Sequence, residues 1–169
     1  SDLNFSNSKT LINSLDEKPK KDWLRRVNEC EDEKVLKYII SNKNEIGIKD
    51  NVKNLKLLWE CCQIPDFVKK SYGKHLDIVK KVFYFLSNDD CKIPNSYFKE
   101  QLNPLYKLEG NVDSISNRIA NVRIWSYVAN KSNWVENNDY WIERTKNIED
   151  KLSDRLHEEL TKTFIDKRA

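Results

Sequence analysis

Methionine is absent from this 169-residue chain, and glycine, proline and histidine are scarce at three, four and two. Each shortage excludes a chemistry. A nucleotide-hydrolysing loop needs clustered glycines so that backbone amides can close on phosphate, followed by Lys and Ser/Thr. Gly73-Lys74-His75 has no glycine run before it and reads as a helix junction, so ATP turnover by this chain alone is not expected. A helical zinc protease site needs a second histidine one turn after the first. Thr161 stands one turn after His157-Glu158-Glu159 and the other histidine is His75, leaving His157 as a surface residue. Too few glycines and prolines remain for the closely spaced turns of an all-β protein. No apolar run approaches the roughly 18 residues of a membrane span, and no basic start leads into an apolar stretch. A soluble, cytoplasmic protein without a membrane partner is expected. The missing initiator fits either a trimmed product or a segment of a longer protein.

Cysteine is present but unpatterned. Cys30, Cys61, Cys62 and Cys91 show no C-x-x-C spacing, and the adjacent pair suits neither a metal site nor a disulfide set. Cys61 or Cys62 with His75 is nominally a thiol–imidazole pair. The cysteines sit in the apolar run Leu57-Leu-Trp-Glu-Cys-Cys62, however, which reads as reduced core thiols.

Hydrophobic residues make up 38% of the chain, enough for a core, while charged residues at 34% imply that most helix faces are wet. The periodicity is helical throughout, and the expected fold class is all-α: helical hairpins packed into a bundle, with a long C-terminal helix pair. Leu3 to Leu15 reads as an extended lead-in and a short helix. Pro19 starts a fresh element, and from Lys20 the spacing of Trp23, Leu24 and Val27 gives a short amphipathic helix, followed by a second through Val35, Leu36, Ile39 and Ile40 with Asp32 as N-cap and Gly47 as its stop. Asp50 is expected to cap a helix through Leu55, Leu58, Trp59 and Cys62, ended by Pro65. Leu76, Val79, Val82, Phe83 and Leu86 mark another, and Pro94 opens one that Pro104 disturbs. After Gly110, Val112, Ile115, Ile119, Val122, Trp125 and Ala129 form a stripe at steps of three and four. Trp141, Thr145, Ile148, Leu152, Leu156, Leu160 and Phe164 form a row mostly at steps of four, which drifts around the helix axis. Trp59 and Trp125 are expected in the core.

This layout suggests a lead-in over 1–17, a basic lobe over 18–109 and a C-terminal hairpin lobe over 110–169. Residues 18–81 hold 16 Lys/Arg against 10 Asp/Glu, whereas residues 82–169 hold 13 against 14. Lys20, Lys21, Arg25 and Arg26 cluster in the first basic helix, and Lys69, Lys70 and Lys74 follow Pro65. Such groups suit sequence-blind contact with a phosphate backbone, and equally the solvated face of a helix.

The stretch Arg123-Ile-Trp-Ser-Tyr-Val-Ala-Asn-Lys-Ser-Asn-Trp134, with Tyr140 to Thr161 and Phe164-Ile-Asp-Lys-Arg168, resembles the C-terminal helical region of mitochondrial-degradosome-type RNA helicases, nearest their alphaproteobacterial branch. Leu57-Leu-Trp-Glu-Cys-Cys-Gln-Ile-Pro-Asp-Phe67 looks like the segment of those proteins between motor and C-terminal block, and Leu3-Asn-Phe-Ser6 with Ser14-Leu15 like their lead-in. The resemblance implies an accessory helical part of an ATP-dependent superfamily-two helicase, whose motor of two RecA-like domains lies upstream. It would pack on that motor, close the channel and contact single-stranded RNA or DNA, with a nuclease as a further possible partner. ATP and magnesium would belong to the motor; no cofactor and no catalytic residue carries over to this chain. Family members of the bacterial branch place a basic residue straight after Pro-Asp-Phe, whereas here Val68 intervenes before Lys69-Lys70. The alternative is a purely structural scaffold that docks the motor or a partner protein without touching nucleic acid.

Overall fold

The structure, a computed structural model, describes residues 3–16, 31–42, 51–69, 72–88 and 92–168. Its elements are α1 (Ser8–Asp16), α2 (Glu31–Ser41), α3 (Val52–Cys62), α4 (Tyr72–Ser87), α5 (Asn95–Leu102), a 3-10 helix (Asn103–Tyr106), α6 (Val112–Ala129) and α7 (Asn138–Arg168). The fold class is all-α. Among the described residues extended pairing is confined to one isolated parallel bridge between Ile93 and Val135, where the Ile93 N–H donates to the Trp134 carbonyl at 2.8 Å.

The chain forms two compact units. One comprises Ser1–Ile64 and Gly73–Asp89, the other Pro65–Tyr72 and Asp90–Ala169. This partition differs from the division drawn at Gly110, because α5 and the 3-10 helix group with α6 and α7. In the first unit α1 packs on α2 and α2 on α3. Its core holds Leu11, Leu15, Val35, Leu36, Ile39, Leu55, Leu58, Leu76, Val79 and Val82. Trp59 is only half-buried, since Leu55, Leu58, Cys61 and Cys62 already fill the inward face of α3 and turn position 59 to its edge.

Two caps differ from expectation. The side chain of Asn51, not Asp50, accepts the Asn54 N–H at 2.9 Å and caps α3. An N-cap side chain accepts from an N–H two or three residues on, and Asn51 does so at Asn54. Asp32 lies within the first turn of α2, where its carboxylate accepts the Glu33 N–H at 2.8 Å. The helix expected around Trp23, Leu24 and Val27, and the stop at Gly47, lie outside the described residues.

The second unit is organised by rings. Pro94 precedes α5, which carries Tyr97 and Phe98 against α6 and α7. The Trp125 ring meets Tyr97 at 5.8 Å and Phe98 at 5.6 Å between centroids, both edge-on. Phe98 also lies 4.7 Å from Trp141. Pro104 does not end the helical path; it tightens the chain into the 3-10 turn, where a missing N–H is tolerated near the start. Gly110, with φ at +129°, turns the backbone into α6, which Asn111 caps by accepting the Ser114 N–H at 2.9 Å.

α6 and α7 pack along each other. Ile115, Ile119, Val122, Trp125 and Ala129 are buried on α6, as the stripe predicts. On α7, Trp141, Thr145, Ile148 and Leu152 are buried, and the Thr145 hydroxyl is satisfied by the Trp141 carbonyl at 2.8 Å. Beyond Leu152 the row surfaces: Leu156 is half-buried, Leu160 is 48% exposed and Phe164 60%. Each step of four advances about 40° around an α-helix, so three steps rotate the row through roughly 120° and off its seam.

Candidate nucleic-acid interface

α4 buries His75, Leu76, Val79, Val82, Phe83 and Leu86, a spacing that commits one face to the core. The remaining face carries Lys81 and Tyr84, with Lys80 half-buried at its edge. The Lys81 ammonium stands 5.9 Å from the Tyr84 ring centroid and 5.4 Å from that of Phe85. Lys80 reaches across to α2, where its ammonium stands 5.6 Å from the Tyr38 ring. Tyr38 and Tyr84 are 43% and 57% exposed. Such cation–ring contacts are individually worth only about 0.5–1 kcal/mol at exposed positions. They hold the rings in place, with Lys81 exposed and Lys80 half-buried beside them. An exposed ring beside an accessible cation is the pairing that single-stranded nucleic acid uses: the base stacks and the phosphate is neutralised. Asp77 is the exposed carboxylate on the same helix, and Lys37 is paired to Asp16 at 2.9 Å.

Of the residues singled out in the sequence, Lys69 and Lys74 lie among the described residues, one in each unit. Lys69 is exposed and belongs to the second unit; its backbone has φ of +57°, and its N–H donates to the Asp66 carboxylate at 3.0 Å. Lys74 is exposed in the first turn of α4, in the first unit. Lys20, Lys21, Arg25, Arg26 and Lys70 lie outside the described residues. Sequence reasoning passed over Lys80, Lys81 and Tyr84, although their i, i+3 and i+4 spacing on one helix was visible. Tyr38 had no such signal, because it joins the group only through the packing of the first unit.

Comparison with family models, curated proteins and solved structures finds no match. The arrangement of side chains therefore carries the functional argument.

Other chemistries find little support in the described residues. No set of three His, Cys, Asp or Glu side chains among them converges as a metal site. His157 is exposed on α7. Cys61 and Cys62 are buried, while Cys30 and Cys91 lie outside the described residues. Burial pushes the Cys62 thiol well up, with the neighbouring Cys61 and Asp32 charges adding to the effect. A thiol so placed stays protonated and is a poor nucleophile. Native protein is expected to leave Cys62 unmodified by iodoacetamide at pH 8, with modification appearing on unfolding; rapid native alkylation of Cys62 in peptide maps would contradict this. The folded-state pKa lies above the unfolded one, so the contribution to stability is present below the ordinary thiol range and declines as pH rises through it. No described helix is long and apolar enough to cross a membrane.

The second unit has an apolar groove between α6 and α7. Phe67, Ile119, Ala120, Leu156 and Leu160 line it, with Arg123 and His157 among its polar members, and its volume is about 470 Å³. Arg123 is tied to Glu149 at 3.3 Å, which spans the two helices.

Proposed function

We propose that this chain is a non-catalytic helical module that contacts single-stranded RNA or DNA as the accessory region of an ATP-dependent helicase of the mitochondrial-degradosome type. The observation that carries the strand contact is the face of the first unit on which Lys80 and Lys81 lie against exposed Tyr38 and Tyr84. The excess of Lys/Arg over Asp/Glu in residues 18–81, 16 against 10, agrees with it. The link to a helicase rests on the sequence resemblance of the aromatic C-terminal block.

The test is a titration of a labelled single-stranded oligonucleotide, in parallel RNA and DNA forms, between about 50 and 200 mM salt. Contact through several phosphates makes affinity fall steeply with salt. The double charge reversal Lys80→Glu with Lys81→Glu should weaken binding by tenfold or more, on the order of 1.4 kcal/mol, and flatten the salt dependence. An absence of binding by wild-type protein even at low salt removes strand contact.

A second reading is favoured by the exposed Leu160 and Phe164 and the groove beside them: a scaffold that docks the motor or a partner protein. In that case charge reversal at Lys80 and Lys81 leaves strand affinity of the full-length protein unchanged. Leu160→Glu with Phe164→Glu would instead disrupt assembly.

A further inference from the structure

The second unit contains a hollow of about 430 Å³ where the starts of α5 and α7 meet, lined by Asn95, Ser96, Lys99, Asn137, Tyr140 and Trp141. Three features of it are chemically specific. First, the buried Trp141 indole N–H donates to the Asn95 side-chain oxygen at 3.0 Å. An indole nitrogen only donates, so this bond fixes the carboxamide and leaves the Asn95 amino group facing away from Trp141 with both hydrogens to offer. Second, the Tyr140 ring is 52% exposed yet restrained. Trp141 meets it edge-on at 4.8 Å, and the Arg144 guanidinium, which also stands 5.3 Å from the Tyr106 ring, lies 5.8 Å from its centroid. An exposed ring already held in place loses little freedom when a second ring stacks on it. Third, charge around the hollow is one-sided. Lys99 lines it, whereas Glu136 and Asp139 line the adjoining depression that shares Asn137 and Tyr140.

We propose that this hollow holds one unpaired nucleobase, stacked on Tyr140, with a ring nitrogen or carbonyl oxygen accepting from the Asn95 amino group and the attached phosphate directed toward Lys99. The carboxylates of Glu136 and Asp139 keep the phosphate out of the adjoining depression. This deepens the strand-contact reading but rests on residues that reading does not use.

The experiment measures single-stranded oligonucleotide affinity for the wild-type chain and for Tyr140→Ala, Tyr140→Phe and Asn95→Asp, with thermal unfolding as a check on folding. A parallel arm titrates AMP and UMP while following the Asn95 side-chain amide by NMR. Tyr140→Ala should weaken strand binding roughly fivefold to a hundredfold, the range for loss of one base stack, while Tyr140→Phe retains it. Asn95→Asp keeps the acceptor for Trp141 but loses the amino group, and should also weaken binding. If Tyr140→Ala and Asn95→Asp bind like wild type while charge reversal at Lys80 and Lys81 abolishes binding, the hollow is not a base site and the strand reading stands. If wild type binds no strand, that reading fails. A nucleotide-dependent shift of the Asn95 amide would then still support the hollow, and an unmoved amide would overturn it.

Discussion

Trp125→Ala should destabilise the second unit by about 3–5 kcal/mol, the cost of truncating a fully packed large aromatic. Trp125 is 2% exposed and is the largest of the fully buried side chains among the described residues. Its indole is the common neighbour of Tyr97 and Phe98, and Phe98 in turn rests on Trp141. The substitution therefore removes two edge-on ring contacts as well as apolar area, and it leaves a void between α5 and α6. Collapse into that void is obstructed, because Phe98 is held by Trp141 on its other side and Trp141 is fixed to Asn95 through the indole N–H. Trp125→Phe keeps a ring at the same place and should cost distinctly less. Urea denaturation is the appropriate measurement: a lower midpoint at an unchanged slope reports lost stability rather than an altered unfolded state. A loss under about 1 kcal/mol for Trp125→Ala would mean that the site repacks, contrary to the ring arrangement described.

Gly110→Ala is the second large effect, and its cause is backbone geometry. Gly110 has φ of +129°, a region L-residues rarely adopt, and forcing a side chain there costs on the order of 1–3 kcal/mol. The added methyl would also meet the Ser114 hydroxyl well inside van der Waals contact and come within 3.1 Å of an Arg118 guanidinium nitrogen. Neither neighbour moves freely. The Ser114 hydroxyl donates to the Asn111 carbonyl at 3.0 Å, and Arg118 donates to the Lys107 carbonyl at 2.8 Å. Relieving the clash thus weakens the entry into α6 on both sides of the turn, and a total loss of at least about 2 kcal/mol is expected. Thermal unfolding checks it, with Glu109→Ala at the neighbouring exposed position as a control that should change little. Equal melting temperatures for Gly110→Ala and wild type would show that the turn relaxes.

The two kinds of side-chain row differ in how well they could be read. The α6 stripe of Ile115, Ile119, Val122 and Trp125 mixes steps of three and four, so it stays on one side of the helix and finds one partner. The α7 row keeps to steps of four after Leu152 and leaves that partner, which turns Leu160 and Phe164 outward. Local chemistry was legible in the same sense: Pro94 starts α5, Gly110 turns the chain, and an Asx residue caps α3, displaced by one from Asp50 to Asn51. The candidate interface was legible only in its local part. Lys80, Lys81 and Tyr84 share a helix, but Tyr38 is more than forty positions upstream of Lys80, and the two meet because α2 and α4 belong to one unit.

By itself the sequence determined the fold class, the positions of the described helices and the identity of most of their core residues, because each depends on periodicity and on turn chemistry within a few neighbouring positions. Tertiary structure alone decided that Trp59 sits at an edge, that the end of α7 is uncovered, and that Asn95 and Tyr140 flank one hollow. Those outcomes depend on which faces of distant helices meet. That is settled by packing the whole set of side chains at once, and no local spacing encodes it.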